Sequence, residues 1–272
     1  MPQLYNDNCI PCMQSLPPRS VDLLLTDPPY NLANFMKKRD TNLAAMRENV
    51  FTQAKWDEFD DEAWENSMDA FFREAARVVK VGGAIVVFMA IIKVETLISL
   101  ADKHKLYYKT TGIWHKSNPM PRNMHLHFVN ATEAWVYFVN RKRTGTFNNN
   151  GKALHDYIKC PVAPPSERRN GKHPTQKPER LMEFFIRTLS NEGETILDTF
   201  MGSGSTGVAA LRNKRNFIGM EINPEYFAIA QKRLDKIKTP NPSQTVKDLA
   251  LAWALGDLNP GLPGYEPGAL TD

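Results

Sequence analysis

One stretch of the sequence decides the fold: Thr195-Ile196-Leu197-Asp198-Thr199-Phe200-Met201-Gly202-Ser203-Gly204-Ser205-Thr206-Gly207. Its apolar first half predicts a buried strand, and its glycine-rich second half predicts a tight turn into a helix through Arg212. The spacing Gly202-x-Gly204-x-x-Gly207 lets a backbone approach a ligand closely, and N–H groups at the helix start attract an anion. The stretch therefore predicts a cofactor site between a strand and a helix.

The same glycine spacing is a literal dinucleotide fingerprint, so an NAD-dependent oxidoreductase is one interpretation. Glu221 follows Gly202 by nineteen residues, near the spacing of a ribose-binding acid. Asp198 counts against NAD, because its carboxylate would lie beside the pyrophosphate, whereas it would suit the ammonium of an amino-acid moiety. A P-loop is excluded because no Gly-Lys-Ser/Thr follows the turn.

Too few strands follow the glycine loop to complete a cofactor-binding half, so the missing strands must lie upstream. Strand-like runs precede Asp7 and Asp27 and recur at 84–89, 107–116 and 132–140. Helical periodicity intervenes, as in residues 64–79, a helix that Gly82-Gly83 is expected to end. Strands that alternate with helices predict βαβ units and a parallel sheet, here in a permuted order.

A second informative stretch, Thr26-Asp27-Pro28-Pro29-Tyr30, closes one of these upstream strands. Two consecutive prolines donate no ladder hydrogen bond, so the strand ends and Asp27 is left at its carboxyl end. A carboxylate, a stiff carbonyl and an aromatic ring within four residues could grip a flat group that carries an amino function. The alternative is a proline turn, with Asp27 as turn-former and Tyr30 as packing.

A permuted sheet would bring Asp7, Asp27, the 198–207 loop and Glu221 to one edge. Binding of S-adenosylmethionine requires such a combination of acidic side chains and backbone N–H groups. Glu221 could bind its ribose diol, Asp7 its adenine amino group, and N–H groups after Gly204 its carboxylate.

Bulk composition predicts one principal domain. The chain has 272 residues, of which 42% are hydrophobic, enough for one good-sized core. The longest apolar run, Ala84 to Ile92, is too short to span a bilayer, and the amino terminus has no signal-like segment. We therefore expect a soluble, cytoplasmic protein without a membrane partner.

Charge is distributed unevenly. Residues 103–180 contain fifteen Lys and Arg against four Asp and Glu, a net charge of +11, and all six histidines. This window predicts a face for a polyanion, although basic runs are also found as solvated loops. The three cysteines include Cys9-Ile10-Pro11-Cys12, but no second metal-ligand pair has matching spacing, so no metal site is predicted.

Three motifs, in this order, resemble those of a beta-class DNA amino-methyltransferase: Asp27-Pro28-Pro29-Tyr30, then His173-Pro174-Thr175-Gln176-Lys177-Pro178, then Asp198-x-Phe200-x-Gly202-x-Gly204-x-Thr206-Gly207. The match covers residues 4–237. The resemblance implies an α/β, permuted doubly wound (Rossmann-like) methyltransferase fold, whose mostly parallel sheet includes an antiparallel strand pair. It also implies S-adenosyl-L-methionine as cofactor and DNA, double- or single-stranded, as partner.

The resemblance implies the roles of individual residues as well. Those expected to bind S-adenosylmethionine are Asp7, Asp27, His173, Thr175, Gln176, Lys177, Asp198, Phe200, Gly202, Ser203, Gly204, Ser205, Thr206, Glu221 and Asn223. Lys177 would lie near the cofactor carboxylate. The catalytic residues Asp27, Pro28, Pro29 and Tyr30 would bind the target base. His115 to Pro119 and Glu133 would complete the target pocket, while a helix-capping turn is the alternative for His173 and Thr175.

An initial Asp in the first motif favours N6 of adenine over N4 of cytosine, which remains an alternative. An RNA amino-methyltransferase and an inactive DNA-binding module are two others. The predicted domain spans 1–238, with a mobile loop at 31–60 and a candidate target-recognition region at 141–172, which we expect to be irregular. The Pro/Gly-rich tail 239–272 contains an apolar run, 249–255, expected to dock on the core or on a second subunit of a homodimer.

Overall fold

The strands and helices come from a computed structural model that describes residues 2–32, 60–121, 125, 128–141 and 143–237. The predicted loop 31–60, except for residues 31, 32 and 60, lies outside the described residues, as does the tail 239–272. The strands are β1 (Gln3–Tyr5), β2 (Val21–Thr26), β3 (Val79–Met89), β4 (Leu106–Lys116), β5 (Thr132–Asn140), β6 (Tyr157–Cys160), β7 (Thr195–Asp198) and β8 (Asn216–Met220). The helices are α1 (Cys9–Ser15), α2 (Asp61–Val78), α3 (Val94–Lys103), α4 (Glu179–Leu189), α5 (Ser205–Arg212) and α6 (Pro224–Asp235), with short 3₁₀ turns at Ile91–Lys93 and Pro165–Arg168.

The described strands form one eight-stranded sheet in the order β1-β8-β7-β2-β3-β5-β4-β6. β7 lies between β8 and β2, so a strand from late in the chain is inserted beside strands from its beginning. β5 runs antiparallel to both β3 and β4, and the remaining pairs are parallel. The predicted permuted, mostly parallel sheet is confirmed.

Helices cover both faces of the sheet because its central strands are apolar on both sides. Leu23 and Leu25 of β2 pack in the cluster that includes α4, α5 and α6. Leu24, which points to the opposite face, packs in the cluster that includes α1, α2 and α3. The sheet is therefore the middle layer of three, and its strand ends are left open at the edge.

The prediction that Gly82-Gly83 ends the helix at 64–79 is wrong. α2 ends at Val78 and β3 begins at once, so both glycines lie inside the strand. Gly82 has a φ of +84°, and a Cβ on Gly83 would lie 2.8 Å from the carbonyl oxygen of Asp22. The glycines therefore permit the register shift between β2 and β3 and the close approach of the two backbones.

The prediction that residues 141–172 are irregular is wrong in part. β6 lies within this range and extends the sheet edge by pairing parallel with β4. Its side chains alternate, with Tyr157 and Lys159 exposed and Ile158 and Cys160 buried. The period of two was present in the sequence, but four residues are too few to distinguish a strand from a loop.

The structure gives no membrane span among the residues that it describes, since none of their helices is long and apolar enough to cross a bilayer.

Candidate active site at the carboxyl edge of the sheet

Four neighbouring strands present polar groups at one edge. β1, β8, β7 and β2 are adjacent and parallel, so their carboxyl ends meet at that edge. Asp7 follows β1, Glu221 follows β8, Asp198 ends β7 and Asp27 follows β2. The structure brings these strand ends together as the sequence predicted.

The glycine loop between β7 and α5 is held by Glu221. Its carboxylate accepts hydrogen bonds from the backbone N–H groups of Gly202 at 2.9 Å and Asn223 at 2.8 Å. Gly202 and Gly204 have φ values of +50° and +80°, and a Cβ on Gly204 would lie 3.0 Å from the Cβ of Ala230. Glycine is therefore required at both positions by the turn itself.

Asp198 lies beneath this loop and is only 4% exposed. Its Oδ1 accepts hydrogen bonds from the hydroxyl of Thr26 at 2.8 Å and the N–H of Phe200 at 3.2 Å, and the side chain of Thr206 donates to the carboxylate as well. Burial raises the pKa of Asp198 to about 6. These donors are neutral, so the carboxylate is suited to a positively charged ligand group.

Arg233 of α6 supports the loop from below, a role that sequence reasoning missed. The guanidinium is buried and donates to the carbonyl of Ser203 at 2.6 Å, to the Ser203 hydroxyl at 3.0 Å and to the Ser205 hydroxyl at 3.3 Å. It also forms an ion pair with Glu179. The two serine side chains, predicted to bind the cofactor, are thus engaged by an arginine that has no motif of its own.

The segment 173–178 packs against the other side of the loop. A Cβ on Gly202 would lie 3.0 Å from the Nε2 of His173, whose ring also contacts Tyr226 with centroids 4.3 Å apart. Burial lowers the pKa of His173 to about 4, so its ring is neutral. The Nδ1 of His173 and the Oε1 of Gln176 are buried without a hydrogen-bond partner. Unpaired buried polar atoms at the loop fit a site whose ligand supplies the missing partners.

Asp27 is the centre of a charged cluster. Lys177 forms ion pairs with Asp27 and, at 3.1 Å, with Glu133. The Tyr30 hydroxyl donates to Asp27 at 2.6 Å and to Glu133 at 3.2 Å. Lys116 pairs with Glu133 at 2.6 Å. The charges thus alternate in the order Lys116, Glu133, Lys177 and Asp27, and the phenol of Tyr30 bonds to both carboxylates.

Burial and charge oppose each other in this cluster. Burial raises the pKa of Asp27, against the attraction of Lys177. For Glu133, burial also acts to raise the pKa, but Lys177 and Lys116 overcome it and lower the pKa to about 2. Burial acts to lower the pKa of Lys177, and the two carboxylates reverse this. Lys177 is therefore the cation on which both carboxylates depend.

Several predicted residues have contacts that the sequence did not indicate. Lys177, expected near the cofactor carboxylate, forms an ion pair with Asp27. Asp7 is exposed and accepts from the N–H of Asn8 at 2.7 Å. Asn223 caps α6 by accepting from the N–H groups of Glu225 and Tyr226. Lys116 lies in the 115–119 segment expected to complete the target pocket, and the pairing of β4 with β5 brings it to Glu133.

Cys9, Cys12 and Cys160 are free and buried. Burial raises the pKa of the Cys9 thiol to about 12, which makes it a poor nucleophile and metal ligand. Cys9 lies near Glu221, whose charge adds to the effect of burial on the pKa of the thiol. Within the described ranges, no group of three His, Cys, Asp or Glu side chains could hold a metal ion.

The permuted sheet, the glycine loop with its acids and the proline-fixed aspartate define a Rossmann-like methyltransferase. The chain belongs to the N6/N4 DNA methylase family, whose model matches residues 21–232. This confirms the class of enzyme that the three motifs predicted.

Two relatives and one solved structure illustrate the match. The Type II methyltransferase M2.LlaDCHI of Lactococcus lactis subsp. cremoris is 31% identical, over 82% of this chain and 86% of its own. The Type II methyltransferase M2.DpnII of Streptococcus pneumoniae is 30% identical, over 85% of this chain and 89% of its own. The crystal structure of the M1.HpyAVI–SAM complex is 29% identical with a TM-score of 0.67, covering 86% of this chain and all of that one.

Proposed function

We propose that the protein transfers a methyl group from S-adenosylmethionine to the exocyclic N6 amino group of adenine in DNA. One observation carries the proposal: the Thr26 hydroxyl donates to Asp198 at 2.8 Å, and the next residue is Asp27. Thr26 therefore binds the carboxylate suited to the amino-acid moiety of a methyl donor, and its neighbour Asp27 carries the carboxylate suited to an amino acceptor. Methyl transfer requires this alignment of donor and acceptor.

S-adenosylmethionine supplies a methyl group already activated by a sulfonium. Glu221 would hold its ribose diol, Asp7 its adenine amino group and Asp198 its ammonium. The first N–H groups of α5 would bind its carboxylate. The remaining residues proposed around it are His173, Thr175, Gln176, Lys177, Phe200, Gly202, Ser203, Gly204, Ser205, Thr206 and Asn223.

The amino nitrogen of adenine is a poor nucleophile because its lone pair is delocalised into the ring. Asp27 and the carbonyl of Pro28 would accept its two hydrogens, which draws the nitrogen toward tetrahedral geometry and frees the lone pair. Tyr30 would stack on a base swung out of the duplex, a contact worth about 1–3 kcal/mol. Since Lys177 and Tyr30 both contact Asp27 here, the incoming amino group must share or replace these contacts.

Replacement of the carboxylate tests the proposal. Asp27→Ala is expected to keep S-adenosylmethionine binding, measured by calorimetry, and to lose at least a hundredfold in methyl transfer to DNA from a strain that lacks amino-methylation. Asp102→Ala, at an exposed position of α3, is the control and should behave as wild type. Near-wild-type labelling of DNA by Asp27→Ala would refute the role of the carboxylate.

Digestion of the modified DNA to nucleosides tests the choice of base. We expect N6-methyldeoxyadenosine, whereas N4-methyldeoxycytidine would establish the cytosine alternative. A comparison of DNA with RNA in a filter-binding assay tests the RNA alternative, and absence of cofactor binding would favour an inactive DNA-binding module.

The remaining proposals concern organisation and partners. Residues 1–238 would form the methyltransferase domain, and 141–172 would read the recognition sequence, supported by the positive charge of the surrounding window. Double-stranded DNA is the proposed substrate, with single-stranded DNA as a further one. The names of the two relatives support a role in restriction-modification. A homodimer involving the tail 239–272 and a cytoplasmic location stay predictions.

A further inference from the structure

Trp64 of α2 reaches the proline pair that follows β2. Its indole Nε1 donates a hydrogen bond of 2.8 Å to the carbonyl oxygen of Pro29, although 35 residues separate the two in sequence. The side chain is 2% exposed. A buried indole N–H needs an acceptor, and here the acceptor is a backbone carbonyl in the segment that carries Asp27 and Tyr30.

The bond restrains one of the few rotations left to that segment. The proline rings fix φ of Pro28 and of Pro29, so ψ of Pro29 is what sets the plane of the next peptide. This peptide carries the Pro29 carbonyl and the N–H of Tyr30 in one rigid plane. By binding the carbonyl, Trp64 sets the direction in which the backbone continues from Pro29 into Tyr30.

The same bond distinguishes the two proline carbonyls. Pro29 has its acceptor occupied by Trp64, whereas no donor from the described part of the chain reaches the carbonyl of Pro28. A carbonyl that is free of internal hydrogen bonds is available to an amino group. The structure therefore leaves Pro28, the residue next to Asp27, as the acceptor.

Trp64 is itself held in place. Lys93 lies over the indole, with its Nζ 4.8 Å from the ring centroid, and pairs at 3.2 Å with Asp61 at the start of α2. Asn31, whose φ is +53°, donates from Nδ2 to the same Asp61 at 3.1 Å. Pro29 and Asn31, the residues on either side of Tyr30, are thus both hydrogen-bonded to the first turn of α2.

We propose that Trp64 is a positioning residue for methyl transfer, which holds the Pro29 carbonyl so that Asp27, the Pro28 carbonyl and Tyr30 keep the geometry needed to bind the acceptor amino group. This inference rests on the proposed function, because it assigns an indirect role in the same reaction. Trp64 touches neither reactant. Its loss should slow the transfer step while leaving cofactor binding intact.

The chain provides a closely matched control. Trp114 also donates from Nε1 to a backbone carbonyl, that of Cys160, at 2.8 Å, and is also 2% exposed. Trp64→Phe and Trp114→Phe therefore remove the same bond and the same part of the ring. Each indole also lies under a lysine, Lys93 over Trp64 and Lys116 over Trp114, with the Nζ of Lys116 5.3 Å from the ring centroid, and phenylalanine keeps an aromatic ring beneath both. The two variants therefore differ in which backbone segment they release.

The experiment compares wild type and both variants by kcat, by KM for S-adenosylmethionine and DNA, by calorimetric cofactor affinity and by urea unfolding. We expect Trp64→Phe to lower kcat at least tenfold with cofactor affinity within twofold of wild type. Trp114→Phe should lose comparable stability while its kcat stays within about threefold. Equal losses of kcat in the two variants would show that Trp64 is merely structural and would overturn the inference.

Two further outcomes are informative. If Trp64→Phe does not fold, Lys93→Met loosens the indole instead, and we expect a several-fold lower kcat with unchanged KM for the cofactor; an unchanged kcat overturns the inference. Failure of wild type to label any DNA overturns the proposed function itself, and so differs from a failure confined to Trp64.

Discussion

Lys177 forms an ion pair with Asp27 across 150 residues of sequence. The lysine comes from the segment before α4, and the aspartate follows β2, which packs against that helix layer. Because the lysine is buried and bonded to Glu133 as well, it joins the segment predicted to bind the cofactor to the segment predicted to bind the base. A change at Lys177 should therefore alter the chemistry of Asp27.

Lys177→Met is expected to shift the pH dependence of methyl transfer. Burial and Glu133 raise the pKa of Asp27, and Lys177 opposes them. Without the cation the pKa rises further, so a higher pH is needed to ionise Asp27, and the acid limb of the profile moves to higher pH. Single-turnover rates across the pH range measure this shift.

The control for this shift is Lys80→Met, which removes an ion pair with Asp22 at the opposite edge of the sheet. Its profile should coincide with that of wild type. An unshifted acid limb in Lys177→Met would contradict the electrostatic role of the lysine.

Asp198→Asn should stabilise the protein while weakening cofactor binding. The pKa of Asp198 is about 6 in the folded protein, above its ordinary value of 3.8. A raised pKa means that this carboxyl group contributes stability below the unfolded-state pKa and loses it as pH rises through the folded-state value. At pH 8 the ionised group is therefore a cost, of up to about 3 kcal/mol, that asparagine removes.

Urea unfolding at about pH 4 and about pH 8 measures the effect. We expect little difference between Asp198→Asn and wild type at the lower pH and a higher free energy of unfolding for the variant at the higher pH. A variant less stable than wild type at pH 8 would show that the charge of Asp198 strengthens the hydrogen bonds from Thr26, Phe200 and Thr206 by more than its burial costs.

Arg233→Met should raise the dissociation constant for S-adenosylmethionine about tenfold, because the Ser203 and Ser205 contacts that shape the glycine loop are lost. Arg212→Met is the matched control: Arg212 pairs with the same Glu179, but its side chain is 52% exposed. Calorimetric titration of S-adenosylmethionine into both variants measures the two dissociation constants. Equal affinities in the two would assign Arg233 a role in helix packing alone.

Gly112→Ala should destabilise the sheet near Glu133. A Cβ at Gly112 would lie 2.0 Å from Cζ2 of Trp135 and 2.3 Å from the carbonyl oxygen of Asp156, so β4 must move away from its neighbours. We expect a loss of about 3 kcal/mol in the free energy of unfolding. Gly151→Ala, where no atom lies within 4 Å of the added Cβ, should cost only the strain of its positive φ, about 1 kcal/mol. Similar losses in both variants would contradict the steric argument.

Long, strongly periodic elements could be predicted from the sequence. The strands predicted at 107–116 and 132–140 are β4 (Leu106–Lys116) and β5 (Thr132–Asn140). Elements whose limits depend on a neighbouring strand could not. β6 has four residues and is placed by its pairing with β4, and Gly82-Gly83 looked like a helix stop because the close approach of Gly83 to Asp22 of β2 is not visible in the sequence. Local propensity is overridden where a neighbouring strand supplies the constraint.

By itself, the sequence determined which groups stand at the ends of strands: Asp27 before two prolines, and Asp198 before a glycine turn. These are local properties, since proline removes a donor and glycine permits a positive φ wherever they occur. Only the tertiary structure decided what surrounds them. Trp64 and Arg233 carry no motif, and they reach the site because helix packing brings distant residues within hydrogen-bond distance. Hydrogen bonds and ion pairs depend on distance in space, which the spacing of residues along the chain does not fix.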